Sequence, residues 1–290
     1  MRLGFFVNTW IFGNRPMAEV IERVAALGYD GLEVVGEPKL FPAEKFAPMI
    51  IDKDMRVTSI CGMHPGPEPG DLRYLGHKDA KERQSAIDYV KACVDMAMSY
   101  GAPGVLVVAG QVGDPSYSVS KAEDWKWSVD SLQKAGDYAR ANQVYLTIEP
   151  VNRYEVGLVY SVADALRMAR EVGNPYVVIM GDTFHMQIEE SDGIANAIRR
   201  AGGQVFRHLH VADNTREAPG KGTMPWREII RALHDIQFKG GVSLEPLPKG
   251  ASPYDARDGL IPKEALDSQL AHGLKFLRML DELVEGMLAQ

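Results

Sequence analysis

Short apolar, β-branched runs alternate with longer amphipathic stretches along almost the whole chain. Eight runs have the length and composition of strands that are buried on both faces, at residues 3–8, 31–35, 57–61, 104–109, 145–149, 176–182, 205–211 and 241–245. Stretches with helical periodicity follow most of them, at 17–27, 80–100, 121–142, 162–172, 194–201 and 225–236, and a final helix is predicted at about 263–288. This alternation predicts a parallel sheet covered by helices.

Eight strand–helix units predict one closed (β/α)8 barrel, an α/β TIM barrel, as a single domain over residues 1–290. An open doubly wound sheet would place a glycine-rich phosphate-binding turn after an early strand. The first strand ends instead in Asn8, Thr9 and Trp10, and no Pro-, Gly- or Ser-rich linker divides the chain. The barrel is therefore the favoured architecture.

Composition excludes several classes of partner. The 290 residues carry 32 basic and 39 acidic side chains, for a net charge of −7, so no overall positive field attracts nucleic acid or an anionic membrane. The longest apolar runs are far shorter than the roughly 18 residues of a membrane span. Two cysteines, Cys61 and Cys93, make no disulfide framework, which favours a reducing, cytoplasmic compartment.

Metal-type side chains stand at the ends of the last four predicted strands. Barrel enzymes carry their chemistry at the carboxyl ends of the strands, and these four residues are Glu149, Asp182, His210 and Glu245. Their successive separations of 33, 28 and 35 residues are each about one strand–helix unit, so a closed barrel brings them to one mouth. Three carboxylates and one imidazole suit Mn²⁺, Mg²⁺ or Co²⁺ better than a structural zinc ion.

Each of these residues also has a simpler interpretation. A single acidic residue at a strand end commonly caps the following helix. Three unpaired carboxylates at one mouth would repel one another strongly, however, and a divalent cation is the simplest compensation. His208 and His210 lie two apart on one strand and face the same way, so one of them suffices as a ligand and the other would orient a neighbour.

Three ordered motifs in the second half of the chain resemble a known family. They are EPVNRYE at 149–155, DTFHM at 182–186 continuing to IEE at 188–190, and PGKGTMPW at 219–226. Together they resemble the ketose 3-epimerases, which comprise the D-tagatose 3-epimerases and the D-allulose (D-psicose) 3-epimerases within the xylose isomerase-like barrels. The match is close over residues 147–246, about a third of the chain, and mainly architectural before it.

The resemblance implies a ligand set and a catalytic pair. Glu149, Asp182, His210 and Glu245 would bind a divalent ion, with Mn²⁺ or Co²⁺ favoured over Mg²⁺. Glu149 and Glu245 would also exchange a proton with C3 of a free ketose, one on each face, through a cis-enediolate. His210 is preferred over His208 because the stretch 210–216 matches the His-to-Arg stretch of the family.

The resemblance also implies the substrate contacts and the assembly. Glu155, His185 and Arg216 fall where the family holds the O1 to O3 end of the sugar. The pairs considered are D-fructose/D-allulose, D-tagatose/D-sorbose and L-ribulose/L-xylulose, and a homodimer or homotetramer is expected. From the strand ends themselves we predict further pocket residues at Asn8, Trp10, Cys61, Met63, Phe6, Gln111 and Trp226.

Three other functions are compatible with parts of the sequence or with the barrel fold. An aldose–ketose isomerase of the same superfamily would move a proton between C1 and C2 with similar residues. An endonuclease IV-like phosphodiesterase would need more histidines and a basic surface facing DNA, and neither is evident in the sequence. A non-catalytic, metal-dependent sugar-binding protein would need no base on each face of the sugar.

Overall fold

Eight parallel strands close a barrel in the order of the chain. The computed structural model describes residues 2–62 and 70–289. The strands are β1 (Gly4–Asn8), β2 (Gly31–Val35), β3 (Arg56–Cys61), β4 (Gly104–Val107), β5 (Tyr145–Ile148), β6 (Val177–Asp182), β7 (Phe206–Val211) and β8 (Gly241–Leu244). Pairing of β1 with β8 closes the ring. The predicted (β/α)8 architecture is confirmed.

Helices surround the barrel and connect its strands. They are α1 (Met17–Leu27), α2 (Ala43–Ile51), α3 (Ala80–Tyr100), α4 (Lys121–Ala141), α5 (Val162–Val172), α6 (Thr183–Glu189), α7 (Ile194–Ala201), α8 (Trp226–Asp235), α9 (Pro253–Arg257) and α10 (Lys263–Leu288), with a short 3-10 helix at Thr9–Phe12. The predicted bounds of α1, α3, α5, α7 and α10 are confirmed, α4 ends one residue before its predicted end, and α8 is one residue shorter than predicted at each end. Among the described residues, no helix is long and apolar enough to cross a bilayer.

Two of the predicted strands end one residue early, just before a glutamate. Glu149 and Glu245 follow β5 and β8, and their N–H groups still donate to the carbonyls of Val107 and Val211, at 3.0 and 3.2 Å. The next residue is proline in both cases, which has no N–H to continue the ladder. The proline therefore ends each strand and holds the glutamate at the rim.

The predicted helices do not include two that are short or irregular. α2 contains Pro48, which interrupts the helical pattern. α6 begins directly after β6, with Asp182 as its N-cap: Oδ1 accepts the Phe184 N–H at 2.7 Å. The prediction was wrong for β4, which ends two residues before its predicted end at 109.

The inside of the barrel near its mouth is polar, whereas the strand faces that meet the helices are apolar. Glu33 on β2 is fully buried, and its Oε2 lies 2.9 Å from Nε2 of His208 on β7. Ser243 Oγ on β8 lies 3.2 Å from the same nitrogen. Phe5 and Leu32 belong to the apolar core instead. The polar layer therefore lies directly under the strand ends that carry the candidate ligands.

Candidate active site

The four predicted ligands meet at the carboxyl ends of β5 to β8. Asp182 on β6 is in register with His210 on β7, and His210 is in register with Ser243 on β8. His210 Nδ1 lies 3.3 Å from Glu149 Oε1 and 3.5 Å from Glu245 Oε2. Atoms of Asp182, His210 and Glu245 that can bind a metal lie within 4.8 Å of one another. One buried cluster thus contains all four side chains.

Glu33 lies behind His210 and separates it from His208. One oxygen, Oε2, lies 2.8 Å from His210 Nε2 and 2.9 Å from His208 Nε2. Only His210 also faces the carboxylates, because its Nδ1 points to Glu149 and Glu245. His208 is held between Glu33 and Ser243, one layer deeper in the barrel. The geometry therefore favours His210 as the ligand, as the motif alignment had suggested.

The cluster attracts positive charge strongly. Burial raises the pKa of Glu245 to about 8, and Asp182 adds to the rise, while His210 and Arg216 oppose it. Burial also disfavours the charged form of Asp182, but His185 and Arg216 outweigh it and hold its pKa at about 2. Burial would lower the pKa of His210, yet Glu33 and Glu245 raise it well above its usual range.

The donor set fits a divalent cation. Asp182 Oδ2 is buried and accepts no hydrogen bond from a described residue, although an isolated buried carboxylate oxygen is costly. Glu149 and Glu245 present further oxygens around the same imidazole nitrogen. Carboxylate oxygens with one imidazole are the donors that Mn²⁺, Co²⁺ and Mg²⁺ accept. Glu149, Asp182, His210 and Glu245 are therefore the residues that would hold such an ion.

Arg216 and Trp10 hold Glu245 from the solvent side. Arg216 Nη2 donates to Glu245 Oε1 at 3.0 Å, and Nη1 lies 3.6 Å from Asp182 Oδ2. The indole N–H of Trp10 donates to Glu245 Oε2 at 2.6 Å. The guanidinium also stacks 4.6 Å from the ring centre of Phe184. These contacts fix one carboxylate of the predicted catalytic pair.

Asp213 organises the loop between β7 and α8, and this loop carries Arg216. The fully buried Asp213 carboxylate accepts the Gly220 N–H at 2.9 Å and the indole N–H of Trp226 at 2.7 Å. The Arg216 carbonyl accepts the Leu247 N–H at 2.8 Å. Arg216 itself has a φ of 62°, in the left-handed region that few residues other than glycine adopt. The hydrogen bonds on both sides hold it there.

A second network joins His185 and Glu155 through an asparagine. Asn152 Nδ2 lies 2.7 Å from His185 Nδ1 and donates to Glu155 Oε1 at 2.9 Å. His185 Nε2 lies 3.4 Å from Asp182 Oδ2. The network therefore links the motif after β5 to the first turn of α6, and it places both predicted substrate contacts beside the carboxylate cluster.

The cluster opens into a cavity at the mouth of the barrel. Its polar lining residues are Trp10, Glu149, Glu155, Asp182, His185, His210, Arg216 and Glu245. Its other lining residues are Cys61, Gly62, Leu106, Val108, Val112, Val151 and Pro253, of which Cys61 lies beside Glu33 and His210. The cavity therefore offers both charged groups and apolar surface to a ligand.

Several predicted pocket residues lie elsewhere. Asn8 is fully buried behind the cluster and contacts Cys61 Sγ at 3.2 Å and Glu245 Oε2 at 3.4 Å, so it does not line the cavity. Trp226 is turned toward Asp213. Phe6 and Gln111 are not among the lining residues either. Met63 lies outside the described residues.

A closed (β/α)8 barrel with carboxylates and imidazoles gathered at its carboxyl mouth has the architecture of the TIM-barrel enzymes. The chain matches the family described as Xylose isomerase-like TIM barrel over residues 21–278. The D-psicose 3-epimerase of Agrobacterium fabrum is 32% identical over 263 residues, which cover 86% of this chain and 86% of that enzyme. The L-ribulose 3-epimerase of Mesorhizobium japonicum is 32% identical over 248 residues, which cover 84% and 80%.

A solved structure of D-psicose 3-epimerase with D-tagatose from Clostridium cellulolyticum has the same fold. It matches with a TM-score of 0.83 and 26% identity, over 97% of this chain and 99% of that one. The chain therefore belongs to the xylose isomerase-like TIM barrel family and, within it, to the ketose 3-epimerases. It is a carbohydrate epimerase, as its motifs had indicated.

Sequence reasoning missed three residues that support the site: Glu33, Asn152 and Asp213. A charged residue inside the apolar run 31–35 was a signal for Glu33, because strands buried on both faces rarely carry charge. Asn152 and Asp213 lie in motifs that had been noticed. Their hydrogen-bond partners are set by the tertiary structure, so the sequence pattern gave no indication of those contacts.

Proposed function

We propose that this epimerase is divalent-metal-dependent and inverts C3 of a free ketose, with Glu149 and Glu245 as its acid–base pair. One observation carries the proposal: both carboxylates flank the same imidazole nitrogen of His210, at 3.3 and 3.5 Å, while projecting from different strands of the barrel. Inversion needs a proton removed from one face of the carbon and returned to the other, and two carboxylates at one site meet that need.

The metal and the glutamates have separate tasks. An ion bound by Glu149, Asp182, His210 and Glu245 would supply Lewis-acid polarisation of the ketose carbonyl, which acidifies the proton on the neighbouring carbon. One glutamate takes the C3 proton and the other returns a proton to the opposite face of the planar intermediate.

The remaining polar residues orient the sugar. His185, Glu155 and Arg216 line the cavity, and together they offer donors and an acceptor to the O1 to O3 oxygens. A planar intermediate that rotated in the pocket would be reprotonated on the wrong face. Holding the end with O1 and O2 therefore keeps C3 between the two glutamates.

The charges of the cavity favour a free sugar over a sugar phosphate. Among the described lining residues, Arg216 is the only arginine or lysine, and its guanidinium already contacts Glu245 and Asp182. A phosphate group is normally held by several donors or by an uncommitted cationic side chain. The other lining residues offer neither, so D-fructose, D-tagatose and L-ribulose are the substrates to test.

Glutamine substitutions test the catalytic pair. Glu149→Gln and Glu245→Gln keep the shape of the side chain but remove the base. Each should lower interconversion of D-fructose and D-allulose by about 10³-fold, within the usual range for general acid–base catalysis. Proton exchange at C3 in D₂O, followed by NMR for each epimer separately, identifies which glutamate abstracts from which epimer.

Glu228→Gln is the matched control, because Glu228 is exposed on α8 and pairs only loosely with Arg227, at 3.7 Å. Its interconversion rate should equal that of the wild type. Undiminished interconversion in either the Glu149 or the Glu245 variant would overturn the assignment. Formation of an aldose from D-fructose would indicate the isomerase alternative, and sugar affinity without turnover would indicate the binding-protein alternative.

Metal removal tests the proposed cofactor. Chelator-treated protein should lose activity and regain it with Mn²⁺, Co²⁺ or Mg²⁺. An ion at 100 times its Kd should also raise the free energy of unfolding by about 2.7 kcal/mol, which thermal unfolding measures. The gain should disappear in His210→Gln. Full activity after exhaustive chelation would contradict metal dependence.

A further inference from the structure

Two histidines of the pocket have positions from which they can bind a metal. His210 lies with Asp182 and Glu245, and His185 lies with Glu149 and Asp182, in each case with possible ligand atoms within 4.8 Å of one another. Position alone does not distinguish the two imidazoles. A neutral imidazole binds a metal only through the nitrogen that carries no proton, so the role of each ring depends on which nitrogen faces the pocket and whether that nitrogen is protonated.

The side-chain amide of Asn152 has one orientation that satisfies its neighbours. Its Oδ1 accepts the backbone N–H of Tyr154 at 3.0 Å, and its Nδ2 donates to Glu155 Oε1 at 2.9 Å. A backbone N–H only donates and an ionised carboxylate only accepts. Rotating the amide by half a turn would therefore break both contacts. Asn152 is 1% exposed, which leaves water little access as a substitute partner.

This orientation fixes the proton on His185. Asn152 Nδ2 lies 2.7 Å from His185 Nδ1, and an amide nitrogen is a donor only. His185 Nδ1 must accept, so the ring proton is on Nε2. That nitrogen faces the cavity and lies 3.4 Å from Asp182 Oδ2. His185 therefore presents an N–H to the pocket and has no lone pair there for a metal.

Glu33 leaves the other ring nitrogen of His210 facing the pocket. The carboxylate oxygen Oε2 lies 2.8 Å from His210 Nε2, closer than the amide nitrogen of Asn8 at 3.4 Å, and accepts the ring proton in a hydrogen bond. The nitrogen left to bind a cation is Nδ1, which faces Glu149 and Glu245 at 3.3 and 3.5 Å. A metal-binding histidine commonly donates its other N–H to a carboxylate in this way.

We propose that Asn152 and Glu33 hold both pocket histidines as the Nε2–H tautomer but turn opposite nitrogens toward the pocket, so that His185 offers an N–H to the sugar and His210 offers the lone pair of Nδ1 to the metal. This inference rests on the proposed function for the identity of the metal and the sugar. Asn152 and Glu33 are positioning residues, because each acts through the histidine that it contacts. The pocket thus contains two imidazoles with different tasks.

The tautomers can be measured directly in the metal-loaded enzyme. Protein labelled with ¹⁵N-histidine and loaded with Mg²⁺, which is diamagnetic, is suited to long-range ¹H–¹⁵N NMR. His185→Gln and His210→Gln spectra assign the two rings. We expect a protonated Nε2 on both rings, with an unprotonated Nδ1 on His185 and a Mg²⁺-dependent shift of Nδ1 on His210. A protonated Nδ1 on His185 would overturn the proposal for Asn152.

A double substitution that exchanges the hydrogen-bond donor at position 152 with the acceptor at position 155 tests the role of Asn152 without changing the net charge. Asn152→Asp combined with Glu155→Gln replaces the amide donor by a carboxylate and gives it an amide partner. His185 Nδ1 should gain a proton in this double variant and stay unprotonated in Glu155→Gln alone. The double variant should also have a kcat/KM about tenfold below that of Glu155→Gln, the cost of losing one hydrogen bond. An unprotonated Nδ1 in the double variant would contradict the proposal.

Metal affinity separates the two histidines. In isothermal titration with Mn²⁺, His210→Gln should lose at least about tenfold in affinity, whereas His185→Gln should bind like the wild type and lose kcat/KM for the sugar. An equal loss of Mn²⁺ affinity in both variants would show that His185 is a ligand. The NMR result does not depend on turnover, so the tautomer assignment and the ketose activity can fail independently.

Discussion

At the scale of single residues, the site depends on side chains that contact two partners at once. Arg216 reaches Glu245 with one nitrogen at 3.0 Å and approaches Asp182 with another at 3.6 Å. Glu33 contacts His208 and His210 through one oxygen. Each of these residues fixes the distance between its two partners, which a residue with a single contact could not do.

Arg216→Lys tests this arrangement. A lysine ammonium is a point charge and cannot reproduce the planar fork, so either Glu245 or Asp182 loses its partner. We expect kcat/KM for D-fructose to fall roughly 10- to 100-fold, which corresponds to one charged hydrogen bond. Arg227→Lys, on the exposed face of α8, is the control and should have wild-type steady-state kinetics. Wild-type kcat/KM in Arg216→Lys would contradict this role.

The candidate ligands could be predicted from the sequence, and the residues behind them could not. Glu149 and Glu245 stand before prolines at strand ends, and Asp182 and His210 follow the spacing of one strand–helix unit. Glu33 meets His210 only because β2 and β7 face each other across the closed barrel, 177 residues apart in sequence. A contact of that kind follows from the register of the whole sheet and has no local pattern.

At the scale of elements, the loop from β7 to α8 is the part of the site whose conformation depends on hydrogen bonds from its own backbone N–H groups. Gly222 packs against Asp213 so closely that a Cβ there would lie 2.2 Å from Asp213 Oδ1 and 2.1 Å from Asn214 Oδ1. Both side chains accept backbone N–H groups of the loop, from Gly220 and Thr223. The loop conformation that carries Arg216 therefore requires glycine at position 222.

Gly222→Ala should displace this loop. We expect kcat/KM to fall by about 10²-fold, the cost of misplacing a positioning group by roughly 1 Å, and the free energy of unfolding to fall by about 1–3 kcal/mol. Urea unfolding and steady-state kinetics measure the two effects.

Gly286→Ala is the matched substitution in the last turns of α10, where no described atom lies within 4 Å of the added Cβ. It should raise the free energy of unfolding by about 0.5 kcal/mol, because alanine favours helix, and leave kcat/KM unchanged. Equal effects of the two substitutions would contradict the role given to the loop.

Elements were predictable where periodicity extends over several turns. α3 is capped by Asp79 and Gly101, α10 has an apolar face that continues over 26 residues, and the predicted bounds of both are confirmed. α6 has seven residues and begins inside the active site, where His185 and Asp182 serve the cavity rather than an apolar face. In such a short helix the residues that the site requires occupy positions that would otherwise show helical periodicity. The sequence pattern therefore does not predict the helix.

At the scale of the whole molecule, the two ends of the barrel have different tasks. The carboxyl ends carry the site, whereas the later turns of α10 pack beside the residue before β1 and the end of α8, at the amino ends of the strands. Asp281 on α10 is buried, accepts the Leu3 N–H at 3.0 Å and lies 2.6 Å from His234 Nε2 on α8. Tyr29 donates to the Leu270 carbonyl at 2.8 Å. The predicted homodimer or homotetramer stays a prediction.

Asp281→Ala should therefore affect folding and spare catalysis. Two buried donors lose their acceptor, and we expect the free energy of unfolding to fall by about 3 kcal/mol. Glu282→Ala, an exposed carboxylate at the next position of the same helix, should change it by less than about 0.5 kcal/mol. Thermal unfolding and kcat/KM below the transition measure both. A large loss of kcat/KM in folded Asp281→Ala would contradict the separation of the two ends.

The polar layer of Glu33, His208 and Ser243 under the mouth has a consequence for how this sequence can change over evolutionary time. Apolar side chains of similar volume at such buried positions commonly give equal or greater stability. Selection for folding alone would therefore replace these groups, whereas selection for turnover retains them. Directed evolution for heat resistance without an activity screen should recover apolar substitutions in this layer first, in proteins that no longer epimerise sugar.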